Sequence, residues 1–355
     1  MKKALVALLA LAVTGALIAQ DAPSLKFSGY LNSGLEYDQL GSATGLLKSY
    51  AQDAGVGGYR MNLDGAYVNG NVGANFEMRS AGTDFTTYLS PYYFLNYGYV
   101  WTNLASNMVK VKAGLVDDGS WNTAGDIGGD SGEGPGVLVL VMPMDGLNFG
   151  AGMYADNSKG IPGDATYTAG FAYTMAKTVG LEASMRIENS KAKSAIGGFQ
   201  VLMVPQLSAA FEYQVTNLYD FSNTGLNTIT ETLSYDLSPA KVGVTAYEWL
   251  SQNSSKDLGF KVNPWVSYTS GPFTPKLGVT YVSNDLSDST NYMFNGKADK
   301  NYSFQVKPQV TFAAGPNANI VAAYAFTSYG DNTVQNGIKG YNSSNTVYVD
   351  FVWSF

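Results

Sequence analysis

Apolar and polar residues alternate with a period of two along almost the whole chain, and this restricts the fold more than any other feature. Leu25, Phe27, Gly29, Leu31, Ser33, Leu35 and Tyr37 hold odd positions, with Lys26, Ser28, Tyr30, Asn32, Gly34, Glu36 and Asp38 between them. At the far end Val347, Val349, Phe351, Trp353 and Phe355 alternate with Thr346, Tyr348, Asp350, Val352 and Ser354. The same pattern recurs at Val179, Leu181, Ala183, Met185 and Ile187, and at Tyr302, Phe304, Val306, Pro308, Val310 and Phe312. Successive side chains of a strand point to opposite faces, so each segment reads as a strand with one oily and one wet face. Helical spacing is not sustained anywhere after the first 19 residues.

Short and long connections alternate between these strands. Short ones fall at Asn69-Gly70-Asn71, residues 102–107, Pro143 to Gly146, residues 176–178, Pro205, residues 237–240, 270–274 and 314–318, many with turn-forming Gly, Pro, Asn or Asp. Long ones are residues 39–57, 117–135, 156–164, 219–226, 284–300 and 329–344, and the briefer links 81–84, 189–194 and 251–256 share their side by order. Outer-membrane barrels show this division between short periplasmic turns and longer external loops. The count predicts an all-β, antiparallel up-and-down transmembrane barrel of about 18 strands, or about 16 if two hairpins are loop structure.

Charge placement separates a lipid-facing barrel from a soluble sandwich. A Lys or Arg facing the bilayer midplane costs roughly 2–4 kcal/mol. Lys26, Arg60, Glu77, Arg79, Lys110, Lys112, Glu182, Arg186, Glu212, Lys261, Lys276, Lys307 and Asp350 all take the polar parity of their strands. Glu231 and Glu248 break it. Glu248 falls near the external rim, and a bulge or register shift is the expected reason for Glu231. Closure also removes the unpaired sheet edges that lipid does not tolerate.

The first 19 residues read as a secretory signal peptide, with the barrel domain in residues 20–355. Lys2 and Lys3 precede an unbroken apolar run at residues 4–13, which tapers into small residues up to Ala19; Ala22 is a second cleavage candidate. The longest later apolar run, residues 137–144, is far too short for a membrane helix and contains Pro143. The chain has no His and no Cys, which excludes imidazole-based catalysis, disulfides and cysteine-held metals. Its net charge of -7 argues against nucleic acid as a partner.

The two ends carry a family likeness. Leu25-Lys26-Phe27-Ser28-Gly29-Tyr30-Leu31-Asn32 resembles the opening strand of Gram-negative porins. Val347, Val349, Phe351, Trp353 and the terminal Phe355 resemble the C-terminal signal of outer-membrane barrels, which the resemblance implies is read by the barrel-assembly machinery. It further implies a passive channel for small hydrophilic solutes, seated in outer-membrane lipid, with a homotrimer possible and no cofactor, metal or enzymatic activity.

Candidate pore residues follow from the same plan. The loop after the fifth strand holds Asp117, Asp118, Asp126, Asp130 and Glu133 and no basic residue. It resembles the porin loop that folds inward, and its carboxylates do not fit a twelve-residue calcium loop. A basic wall of Arg60, Arg79, Lys110 and Lys112 faces it, with Arg60 and Arg79 expected directly opposite each other across the Asn69-Gly70 turn. The acidic loop and overall charge predict weak cation selectivity. Tyr92, Tyr93, Tyr97, Tyr99 and Trp101 read as an interfacial girdle. Tyr30, Trp265 and Tyr348 are candidates for a sugar track on the lumen side. The rival function is a structural or adhesive surface barrel without pore activity.

Overall fold

A computed structural model describes residues 23–40, 45–50, 59–80, 93–116, 121, 134–155, 165–175, 178–220, 226–251, 259–284, 301–329, 334–335, 338–339 and 343–355. The strands are β1 (Ser24–Leu40), β2 (Leu46–Tyr50), β3 (Tyr59–Asn69), β4 (Val72–Ser80), β5 (Tyr93–Leu104), β6 (Val109–Val116), β7 (Gly134–Met144), β8 (Leu147–Ala155), β9 (Ala165–Met175), β10 (Val179–Glu188) and β11 (Lys191–Val201). They continue with β12 (Leu207–Thr216), β13 (Leu226–Asp236), β14 (Ala240–Ser251), β15 (Gly259–Tyr268), β16 (Phe273–Asn284), β17 (Asn301–Gly315), β18 (Ala318–Tyr329), β19 (Val334–Gln335), β20 (Ile338–Lys339) and β21 (Ser343–Ser354).

Each wall strand pairs antiparallel with its neighbours, and β21 returns to β1, so the sheet closes. The wall comprises β1, β3 to β18 and β21, which makes 18 strands and decides against 16. The short β2 pairs with the upper part of β1 beyond the reach of β3, and β19–β20 form a separate hairpin. At the seam the ladder runs from Leu40 opposite Ser344 to Tyr30 opposite Ser354. It ends with Gly29 and Phe355 exchanging two backbone hydrogen bonds of 3.0 Å, so pairing extends to the last residue. No described helix is long and apolar enough to cross a membrane; strands of this length suffice.

The two faces sort as the alternation requires. Val347, Val349, Phe351, Trp353 and Phe355 all lie exposed on the outer face, whereas Asp350 between them is fully buried on the inner face. Leu25, Phe27, Leu31 and Leu35 are likewise exposed on β1, with Asn32 and Glu36 buried. Outward tyrosines at 37, 67, 167, 213, 235, 268 and 324 supply amphipathic rings to this surface.

The Arg60–Arg79 pairing and the link at 189–194 need correction. Arg79 pairs with Asn62, not Arg60, because the hairpin closes on Asn69 opposite Val72 around Gly70 and Asn71. Gly70 has φ +57, the left-handed conformation that lets two residues make the turn. Arg60 therefore sits two residues higher on β3, beside Asn32 of β1. The link expected at 189–194 is tighter still: Asn189 and Ser190, both with positive φ, form a two-residue turn between Glu188 and Lys191. The link expected at residues 81–84 lies outside the described residues.

Glu231 shows no bulge. The ladders of β13 to β12 and β14 are regular through it, opposite Phe211 and Ala246. Its carboxylate is exposed on the outer face between Ile229 and Leu233, midway along the strand. Outward acidic groups cost less than Lys or Arg but still destabilise. Glu231→Leu is expected to raise barrel stability by about 1 kcal/mol, read as a higher urea midpoint for unfolding from lipid vesicles. An unchanged midpoint would show that the carboxylate is not facing hydrocarbon.

Candidate functional site

The inner wall carries two arcs of lysine held on aromatic rings. On the first, Lys110 lies 4.5 Å from the Trp101 ring centroid and Lys112 lies 5.2 Å from that of Tyr99. Trp101 is fixed in turn by donating its indole N–H to the Asn75 side-chain oxygen at 2.8 Å. On the second, Lys276 and Lys241 approach Trp265 at 4.6 and 6.0 Å, Lys261 approaches Tyr247 at 5.2 Å, and Lys307 approaches Tyr348 at 4.9 Å. Trp265 lies flat against the wall because Gly243 offers no Cβ there; one would meet the ring at 2.6 Å.

Such pairs contribute roughly 0.5–2 kcal/mol each. A ring face carries no formal charge, so the ring contact itself leaves the ammonium cationic. Strands β5 to β9 contain no Asp or Glu, and on β14 to β18 the only one is Glu248, which faces outward. Asp236, at the turn beside Lys241, is the nearest carboxylate in the ladder. In the ring order β15 stands nine strands from β6, half-way round the wall. The two lysine arcs thus face each other across the lumen.

The arcs between them are mixed in sign. On one side Asp64 of β3 pairs across the ladder with Glu77 of β4, Glu77 bonds Arg79, and the Tyr97 hydroxyl donates to Asp64 at 3.3 Å. Thr346 donates to Asp38 at 3.0 Å near the seam. On the other side Arg186 pairs with Glu188, which also meets Lys193 at 3.7 Å, and Glu182 and Glu212 are buried. Of the expected basic wall, Lys110 and Lys112 line the lumen together, and Arg79 joins the mixed arc. For Arg60 the ladder gives only its backbone partner, Asn32.

Tyr97, Tyr99 and Trp101 correct the girdle assignment. Their partners, Asp64, Lys112 and Asn75, all belong to the inner wall, so these rings face the lumen. Trp265 and Tyr348 also stand on the lumen side, each beneath lysine.

The loop between β6 and β7 has one described residue, Trp121. It is only 1% exposed and packs with Val116, Leu138, Leu140 and Tyr154, all on inward positions. Asp117, Asp118, Asp126, Asp130 and Glu133 lie outside the described residues.

No family model and no curated protein matches the sequence. Solved structures do match in fold. Pseudomonas aeruginosa OpdQ superposes with a TM-score of 0.58 at 12% identity, over 93% of this chain and 98% of that one. Pseudomonas aeruginosa OccD3 (OpdP) gives a TM-score of 0.59 at 10% identity, over 95% and 94%. An anion-selective porin from Comamonas acidovorans gives 0.53 at 14% identity, over 94% and 100%. The fold is that of an outer-membrane porin. Within this porin fold, sequence reading had found the polar parity of Lys261, Lys276 and Lys307 but not their grouping, nor the part of Trp121. Parity places a side chain indoors; only the closed ring shows which strands look at one another.

Proposed function

We propose that the chain is a passive outer-membrane porin whose lumen favours small hydrophilic anions. The observation that carries this reading is the pair of lysine arcs facing each other on carboxylate-free stretches of a closed wall. A fixed positive field on both sides of a water-filled bore raises the local concentration of anions and lowers that of cations. The name of the Comamonas neighbour, an anion-selective porin, is in keeping with it. The reading needs no cofactor and no chemistry on the solute.

Weak cation selectivity, expected from the net charge, finds no support in the described wall. Its remaining basis is the acidic loop, so the two ideas separate experimentally. Purified protein in planar bilayers is expected to give steady ohmic steps and an anion-preferring reversal potential in a potassium chloride gradient. Neutralising Asp117, Asp118, Asp126, Asp130 and Glu133 together should deepen that preference. A cation-preferring pore that loses its preference in this variant would assign selectivity to the loop. Electrical silence would favour the adhesive surface barrel.

Other elements of the proposal rest on sequence. Residues 1–19 direct export and are removed. The terminal residues Val347, Val349, Phe351, Trp353 and Phe355 address the chain to the barrel-assembly machinery. Outer-membrane lipid surrounds the outer face, and a homotrimer is compatible with it.

A further inference from the structure

On the inner wall between the two lysine arcs, one row of the ladder runs through Glu182 on β10, Gly198 on β11, Glu212 on β12 and Thr230 on β13, each directly opposite the next. Glu182 and Glu212 thus stand two strands apart, roughly 9.5 Å at the backbone, and Gly198 between them carries no side chain. A glutamate is long enough to reach half that distance, so the two carboxylates can meet above the glycine. Both are buried. The inward positions next to the pair along these strands are Ser184, Ile196 and Gln214 above and Gly180, Gln200 and Ala210 below, all uncharged. Arg186, further up β10, bonds Glu188, and Lys261 lies two strands beyond Thr230 over Tyr247.

Thr230 supplies the observation that points to a ligand. It is 1% exposed, stands beside Glu212 on the same face, and its hydroxyl oxygen has no hydrogen-bond partner. A buried hydroxyl left in this way is costly, and an ion or the water it carries removes that cost.

We propose that Glu182, Glu212 and Thr230 form a calcium site on the inner wall, bridging β10, β12 and β13 across the gap at Gly198. Among the described residues no group of three or more acidic side chains could hold an ion, so the site uses two carboxylates, a hydroxyl and water. This oxygen-only set suits a hard divalent cation. Calcium, with bonds of about 2.3–2.6 Å and a tolerance of irregular geometry, fits such a gap better than magnesium, which demands a near-ideal octahedron. The ion offsets two like charges held in a buried place and ties together strands that the ladder joins only through β11. The site does not depend on conduction, so it stands or falls apart from the porin reading.

Titration calorimetry on the purified full-length barrel, stripped with chelator and held in detergent at low ionic strength, tests the site. The parent is expected to bind calcium, with magnesium roughly tenfold weaker. Glu182→Gln and Glu212→Gln keep shape and remove charge, and each should weaken calcium binding roughly tenfold or more. Thr230→Val, which removes only the hydroxyl, should weaken it roughly threefold or more. Gly198→Val, a residue that strands accept, should abolish it while leaving both carboxylates in place. The variant with Asp117, Asp118, Asp126, Asp130 and Glu133 neutralised should bind as the parent does. Calcium should also raise the urea midpoint of the parent but not that of the Glu182→Gln/Glu212→Gln double variant. A parent that binds no calcium overturns the proposal, as does binding that survives unchanged in the double variant, or an equal rise of both urea midpoints.

Discussion

Replacing Lys261, Lys276 and Lys307 together with glutamate is expected to turn an anion-preferring pore into a cation-preferring one. The three lysines sit on adjacent strands β15, β16 and β17, whose inner faces hold no carboxylate. A unit charge 4 Å from a passing ion is worth about 1 kcal/mol even in bulk water, and each Lys→Glu change reverses its sign. A tenfold change in permeability ratio needs only about 1.4 kcal/mol, so a shift of about tenfold or more should be seen. Reversal potentials at low salt read it best, since screening weakens the effect as ionic strength rises. Glu248→Lys, on the outer face of β14, is the control and should leave the reversal potential unchanged. A triple variant with the parental reversal potential would place selectivity elsewhere in the channel.

The second large effect concerns the closing seam. Val349→Arg should destabilise the barrel by about 2–4 kcal/mol, the cost of a guanidinium on the lipid face near mid-membrane. Val349 lies opposite Leu35 on β1 and Ala322 on β18, outward on all three strands. Thr346→Arg, three residues earlier on β21, is expected to cost almost nothing. It faces inward, where Thr346 already donates to Asp38, and an Arg there gains a carboxylate partner. Urea unfolding from vesicles, together with the gel mobility of unheated samples, compares the two. Equal stability losses would show that the seam does not separate lipid from water.

Much of this architecture was readable from particular residues. The alternation at Leu25 to Tyr37 and Val347 to Phe355 assigned the outer face correctly at both ends. The short connections at Gly70, Gly146 and Pro239 gave the strand order. The errors came where local rules leave register free. One residue of turn position moved Arg79 from Arg60 to Asn62. Tyr97, Tyr99 and Trp101 looked like an interfacial belt because aromatic rings suit both lipid rims and pore walls. Glu231 invited a bulge that the regular β13 ladders do not contain.

Trp121 and the lysine arcs were hidden for a different reason. Period two is a property of neighbours along one strand, and it acts through the pleat, so sequence alone determined a closed antiparallel wall with charge indoors and oil outdoors. Which indoor charges confront one another depends on 18 strands meeting end to end, a relation between residues as far apart as Lys110 and Lys261. Whether a loop tryptophan is buried depends on Leu138, Leu140 and Tyr154 of two later strands. Those two facts, the facing lysines and the buried ring, were decided by tertiary structure, because only closure of the ladder brings such distant side chains into one water-filled space.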